Sequence, residues 1–130
     1  MAPDDRLTEV FERGMNAGVD RLSPADQELY LIQEFLLDYE MGGLSSYFYN
    51  HLPNLARVQA TKIAMQNHGL RQLAKLLNDA LKLFLGYVDP DPPSTWDKVL
   101  GRYDPSNRLT AIEKEINALD NYGLGQSSIV

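Results

Sequence analysis

Two consecutive glycines, Gly42 and Gly43, interrupt a long apolar pattern in this chain. Before them, residues 24–41 repeat apolar side chains at the three- and four-residue spacing of an α-helix, and Ser23 supplies a capping hydroxyl. Glycine adopts the left-handed conformation that ends many helices without a steric penalty. The pattern therefore predicts a central helix over residues 24–41 that ends at the glycine pair.

The apolar side chains of this helix form two stripes. The wider stripe contains Leu29, Leu31, Ile32, Phe35, Leu36 and Tyr39, and the narrower one contains Tyr30, Leu37 and Met41. A helix with two apolar faces is usually buried against two neighbours, or against one neighbour and a second subunit. A homodimer is therefore one expectation for this chain.

A short aromatic turn follows the glycines. Its three consecutive aromatic residues are Tyr47, Phe48 and Tyr49, and either Ser45 or Ser46 is predicted to cap it. Three successive side chains cannot all face one side of a helix. At least one ring is therefore expected to be exposed or to reach a second surface.

The remaining chain shows further helical spacing and no alternation typical of strands. Helices are predicted near residues 5–16, 55–67 (with Ala56, Ala60, Ile63 and Ala64 facing inward), 70–85, after Thr95, and from Asp104 onward. An extended proline-rich loop is expected at 87–95. The predicted fold is all-α, a single compact domain of six or seven helices over residues 1–122, with a flexible tail at 123–130.

Composition excludes several classes of protein. The absence of cysteine rules out disulfides and thiolate metal sites. No apolar run approaches the roughly 20 residues needed to span a bilayer, and the N-terminus lacks the apolar core of a signal peptide. A net charge of −6 disfavours direct nucleic-acid binding. These features predict a cytoplasmic protein that does not bind membranes.

The charge is distributed unevenly along the chain. Residues 1–41 carry ten acidic and three basic residues, residues 42–86 one and five, and residues 87–130 seven and four, so the net charges are −7, +4 and −3. This asymmetry has two interpretations. Either oppositely charged helix faces attract one another within the fold, or an acidic face is presented to a basic partner.

Four carboxylates on the central helix are the candidates for such a partner-binding face: Asp26, Glu34, Asp38 and Glu40. Glu34 and Asp38 lie one helical turn apart, which mildly disfavours a helix. Their Cβ atoms should be about 5–6 Å apart, comparable with successive phosphates along a DNA strand. The alternative is an ordinary solvated acidic face.

No catalytic motif accompanies these residues. The two histidines, His51 and His68, lack a partner at the spacing of a helical zinc site. Ser45 and Ser46 lack the glycine-flanked setting of a hydrolase nucleophile. The sequence therefore predicts a non-enzymatic protein with neither a cofactor nor a metal site.

A family resemblance covers roughly residues 22–85. The stretch from Asp38 to Asn50, DYEMGGLSSYFYN, resembles E-V-x-N-G-G-F-x-Q-Y-F-x-N, the hallmark of the DNA-mimic protein family, a bacterial domain family of unknown function. The matched positions include Gly42, Gly43, Tyr47, Phe48 and Asn50. Asp38, Met41, Leu44 and Ser46 replace the usual residues, so a polar site formed by those residues in relatives would be altered here.

The resemblance implies an all-helical fold, dimerisation and, for the protein after which the family is named, binding of a transcription regulator in place of DNA. The favoured hypothesis is a protein-binding module whose acidic helical face engages a basic, DNA-binding partner. An immunity-type protein that neutralises a cognate toxin is the alternative. A small-ligand binder or enzyme using a pocket around Tyr47, Asn50 and His51 is a third hypothesis.

Overall fold

The computed structural model describes residues 2–88 and 95–129. Most of the predicted loop at 87–95 lies outside the described residues. The described residues form one all-α domain and no strand, as predicted. Its helices are α1 (Pro3–Ala17), α2 (Pro24–His51), α3 (Leu55–Asn67), α4 (Arg71–Leu83), α5 (Trp96–Tyr103) and α6 (Arg108–Asn117). Short 3-10 segments lie at Val19–Arg21, Leu52–Asn54 and Asp120–Gln126.

Helix α2 is broken at the glycine pair, which confirms the predicted end of the central helix. Gly42 has φ −174° and ψ 27°, and Gly43 has φ 71° and ψ −158°, so neither is helical. The second part of α2 is not capped by Ser45 or Ser46. Instead, the carboxylate of Glu113 on α6 accepts a hydrogen bond of 2.7 Å from the backbone N–H of Leu44. A distant helix therefore supplies the cap.

The predicted aromatic turn forms the second part of α2. Tyr47 and Phe48 are fully buried, whereas Tyr49 is 66% exposed. The expectation that at least one of the three rings faces away from the core is confirmed. Tyr49 makes an edge-on contact with Trp96 at a centroid distance of 5.9 Å, which brings α5 close to this turn.

Helix α1 packs on the first part of α2 through a buried glycine. A Cβ atom added at Gly14 would lie 2.6 Å from the ring of Tyr30. The glycine lets that ring lie against α1, where it stacks on Phe11 at a centroid distance of 4.5 Å. Tyr30 of the narrower apolar stripe is therefore covered by α1.

Helices α3 and α4 form the predicted helical hairpin, but the predicted inward face of α3 is wrong. Ala64 is buried as expected, whereas Ala56 and Ala60 are exposed and Ile63 is 42% exposed. The buried face instead contains Val58, Thr61, Ala64 and Met65. Thr61 can be buried because its hydroxyl donates to the carbonyl oxygen of Arg57 at 2.9 Å, which satisfies the polar group within the helix.

The predicted start of the last helix requires correction, and two side chains of the predicted tail are packed into the domain. Helix α6 begins at Arg108, and the carboxylate of Asp104 caps it by accepting the N–H groups of Arg108 (2.6 Å) and Leu109 (3.0 Å). Within the predicted tail at 123–130, Leu124 is 1% exposed and Ile129 is 3% exposed. Both side chains reach the core although they lack helical spacing. The packed domain therefore extends to residue 129.

None of the helices in the described part of the chain combines the length and the apolar character that crossing a membrane requires.

The glycine break generates the first prediction. We expect Gly43→Val to lower the free energy of unfolding by more than about 1 kcal/mol, because a β-branched residue is strained at positive φ. The added Cβ would also meet the carboxylate of Glu113. Chemical denaturation measures the change. Gly101→Val is the matched control, because a Cβ at Gly101 meets no atom within 4 Å among the described residues. Equal stability of the two variants would contradict the description of the break.

Candidate functional site

The first of the four candidate carboxylates, Asp26, lies between α1 and α2. Its two oxygens accept hydrogen bonds from Arg6 at 3.0 Å and from Arg13 at 2.8 Å. Hydrogen bonds to Asp26 and then to Glu9 raise the pKa of Arg13. Only 13% of the Asp26 side chain is exposed. Its negative charge is therefore used to join the first two helices.

Glu34 has a two-pronged ion pair with α3. Its carboxylate oxygens accept from Arg57 Nε at 2.8 Å and from Arg57 Nη2 at 2.7 Å. The Glu34 hydrogen bond raises the pKa of Arg57 more than burial lowers it. This parallel geometry is the strong form of an Arg–carboxylate contact. Glu34 therefore fixes α3 to the first part of α2.

Asp38 connects the two parts of α2 across the glycine break. Its carboxylate lies 2.7 Å from His51 Nε2 and accepts from the Asn50 amide at 3.3 Å. Glu34 lies 3.9 Å from the same histidine nitrogen. The predicted pair of free carboxylates, spaced like DNA phosphates, is therefore not present. Arg57 and His51 lie against those charges.

Tyr47 lies beneath this polar cluster. Its ring contacts Phe35 edge-on at a centroid distance of 4.8 Å and lies against His51 at 4.6 Å. Its hydroxyl is buried and forms no hydrogen bond of normal geometry with a described residue. Burial raises the pKa of this phenol well above its ordinary value, and the neighbouring Thr61 hydroxyl offsets part of the rise. Tyr47 thus acts mainly as a packing residue.

Glu40, the fourth candidate, has a different environment from the other three. It is exposed, and no cationic side chain of the described residues lies within ion-pair distance of it. It lines a surface groove of about 320 Å³ between α1, α2 and the turn near residue 121. The groove is lined by Asp4, Thr8, Gln33, Leu36, Leu37, Glu40, Asn121 and Tyr122.

The turn that closes this groove has an unusual backbone. Asn121 has φ 46° and Tyr122 has φ 58°, so both are in the left-handed region. The Asn121 amide donates to Asp4 at 3.2 Å, and the Tyr122 ring meets Tyr39 edge-on at 5.9 Å. Tyr39 in turn donates its hydroxyl hydrogen to Asn117 at 2.8 Å. These contacts hold the turn against α1, α2 and α6.

Besides burial, the charge of Glu40 raises the pKa of Tyr122 in this turn. Burial first, and then the negative charge of Glu40, raises the pKa of Tyr122. Burial, with smaller contributions from Glu113 and Tyr122, raises the pKa of Tyr39 to about 12. The groove is therefore a place where negative charge is not neutralised by a neighbouring cation.

Sequence reasoning missed Asp4, Asn121 and Tyr122 as site residues. Asp4 lies just before the helix predicted near residues 5–16, and the other two lie at the boundary with the predicted tail. The helical spacing that identifies core residues carries no information on a turn with positive φ. The excess of acidic over basic residues in 1–41 was the sequence signal for this site, since Asp4 and Glu40 both lie in that segment.

Part of the narrower apolar stripe of α2 remains uncovered beside the groove. Leu37 is 39% exposed and Met41 is 83% exposed. These two residues lie one turn apart on the same face of α2. Because α1 covers Tyr30 of the same stripe, the part of the second apolar face that the described residues leave exposed contains Leu37 and Met41.

The histidines lie near acidic residues rather than near one another. His68 Nε2 lies 3.3 Å from Glu28, and His51 lies beside Asp38. Among residues 2–88 and 95–129, no group of three or more histidine, aspartate and glutamate side chains is arranged to hold a metal ion.

Tyr47→Phe tests whether the buried hydroxyl has a structural role. A buried polar group without a partner costs about 1–3 kcal/mol, so we expect the substitution to leave the free energy of unfolding unchanged or to raise it. Tyr39→Phe is the control, because the Tyr39 hydroxyl donates a hydrogen bond to Asn117. This variant should lower the free energy of unfolding by about 1 kcal/mol. An equal loss in the two variants would show that the Tyr47 hydroxyl is bonded.

The ion pair between Glu34 and Arg57 is predicted to stabilise the fold. A double-mutant cycle with Glu34→Gln and Arg57→Gln should give a coupling energy above about 1 kcal/mol, since the pair is partly buried and two-pronged. The exposed pair between Glu9 and Arg13 is the control, with an expected coupling of about 0.5 kcal/mol or less. Urea denaturation measures both. Equal coupling energies would contradict the structural role.

Comparison with known proteins supplies one match. The DMP19-like protein family matches residues 20–125, which span α2 to α6 and the closing turn. No curated protein and no solved structure matches the chain. The match includes the glycine break and the aromatic turn. It also includes α3 and α6, which contact α2 through Arg57 and Glu113. The chain belongs to the DMP19-like protein family.

Proposed function

We propose that this protein is a non-enzymatic binding module whose acidic surface engages a basic, DNA-binding protein. The observation that supports the proposal is the separation of two kinds of carboxylate. Asp26, Glu34 and Asp38 contact positively charged or histidine side chains, whereas Glu40 is exposed without such a partner. The partner-binding role proposed for the central helix therefore rests on Glu40 rather than on the other three.

We extend the proposed surface to three further exposed acids. Asp4 lines the groove with Glu40, Asp5 follows it on α1, and Asp120 precedes Asn121 in the closing turn. The described residues show no ion pair to any of these four carboxylates. Unpaired surface charges of one sign steer oppositely charged partners and accelerate their association.

A separate set of exposed basic residues lies on α4. Arg71, Lys75 and Lys82 are exposed on α4 at spacings of four and seven residues, so they share one face of that helix. A protein with charge of both signs on its surface is not DNA-like on all sides. We therefore propose that mimicry of DNA is confined to the surface that contains Asp4, Asp5, Glu40 and Asp120.

Capture of partners from a lysate of the source organism tests the proposal. Wild-type protein should retain a DNA-binding protein at low salt and release it at high salt, because salt screens surface charge. Glu40→Lys with Asp120→Lys should lose that protein, while Asp97→Lys with Glu115→Lys, the same change of net charge elsewhere, should keep it. The combination Glu34→Lys with Asp38→Lys is unsuitable, because it also breaks contacts that hold the fold.

Two results would contradict the proposal. Retention of the DNA-binding protein by the Glu40/Asp120 variant would remove this surface from its interface. Capture of a toxin or nuclease that resists high salt would favour the immunity-type alternative instead.

A further inference from the structure

The groove beside Glu40 is lined by both polar and apolar side chains. Leu36 and Leu37 of α2 line it together with the ring of Tyr122. Asp4 and Thr8 approach from α1, and Asn121 approaches from the closing turn. Because three separate elements build these walls, the groove has a defined shape rather than being a flat acidic face.

The polar groups of the groove are mostly hydrogen-bond acceptors. Asp4 and Glu40 contribute carboxylates, and no lysine or arginine is among the described lining residues. The Asn121 amide nitrogen already donates to Asp4 at 3.2 Å, which leaves the Asn121 carbonyl oxygen as an acceptor. The hydroxyl of Thr8 and the side-chain amide of Gln33 can each accept as well as donate. The groove thus offers more acceptors than donors, and two of them are charged.

We propose that this groove receives an arginine side chain of the protein partner. A guanidinium carries five N–H donors in a plane, so it can meet carboxylates that come from two different helices. Its planar group also stacks on aromatic rings such as that of Tyr122, and its aliphatic stem suits the leucine side chains of the lining. This inference rests on the proposed function, because it names the chemical group by which the basic partner is recognised.

Lysine fits the same lining less well. An ammonium group is a compact, strongly hydrated charge with three donors, so it satisfies fewer of the acceptors and loses more hydration on entering a groove. Leu37, which lines the groove, is 39% exposed and can contact the aliphatic stem of the arginine.

Titration with a defined peptide tests the inference. The probe is an acetylated, amidated alanine-based helical peptide with one central arginine, and its matched forms carry citrulline or lysine at that position. Backbone amide shifts of the isotope-labelled protein report where each peptide binds. We expect saturable shifts confined to Gln33, Glu40, Asn121 and Tyr122 and their neighbours with the arginine peptide. The citrulline peptide should bind about tenfold more weakly, since it lacks the charge.

Two double variants with equal net charge separate the groove from general acidity. Asp4→Asn with Glu40→Gln should weaken the arginine peptide about tenfold, while Asp97→Asn with Glu115→Gln should leave its affinity unchanged. Thr8→Arg places a cation in the groove from the protein itself and should also block the peptide. Dispersed amide spectra confirm that each variant is folded.

Several results would overturn the inference. These are the absence of saturable shifts, shifts spread over the whole acidic surface, equal affinity for the lysine peptide, or equal weakening in the Asp97/Glu115 variant. Failure here is distinguishable from failure of the proposed function. Capture of the partner could be salt-sensitive and require Glu40 and Asp120, yet be unchanged by Asp4→Asn and Thr8→Arg. That result would support the proposed function and contradict the arginine-binding groove. If the arginine peptide binds in the groove but no DNA-binding protein is captured, the arginine-binding groove is supported and the proposed function is contradicted.

Discussion

The hydrogen bond between the Leu44 N–H and the Glu113 carboxylate holds the rest of the structure in place. A helix that restarts after a break exposes backbone N–H groups that need acceptors. Glu113 supplies one of them from α6 at 2.7 Å, and its carboxylate charge suits the positive end of a helix. This contact stabilises the break, where Gly42 is exposed, and the second part of α2 can return toward the first.

The return of the second part of α2 explains how the acidic residues are used. Asp38 precedes the break, and its partners Asn50 and His51 follow it, so these contacts hold the two parts of α2 together. Glu34 likewise holds α3 through Arg57. A partly buried carboxylate loses hydration and therefore needs a partner. The most acidic segment of the chain consequently divides into paired carboxylates that stabilise the fold and exposed ones that remain available.

Helical spacing predicted much of this fold correctly. The central helix and the helices near 55–67 and 70–85 follow from repeats of three and four residues, because those positions share one face. The inward face of α3 was mispredicted because Thr61 satisfies its hydroxyl within its own helix and can be buried like an apolar residue. The packing of Leu124 and Ile129 was missed because it depends on long-range contacts rather than on a local pattern.

The candidate site was less predictable than the fold. Charge counts identified the acidic segment, but they could not separate Glu40 from Asp38, since the partners of Asp38 lie twelve and thirteen residues later along the chain. The groove also requires Asn121 and Tyr122, whose left-handed backbone has no signature in a hydrophobic pattern. Pairing across distant segments therefore decides which acids are free.

The most direct test of the central claim is a competition experiment with the DNA-binding protein that this chain captures. Binding of that protein to its DNA duplex would be measured at increasing concentrations of this protein, at low and at high salt. We expect DNA and this protein to bind the partner in a mutually exclusive way. The competition should be weaker at high salt and should be lost when Glu40 and Asp120 are both replaced by lysine. A ternary complex of DNA, partner and this protein would contradict the claim that its acidic surface takes the place of DNA.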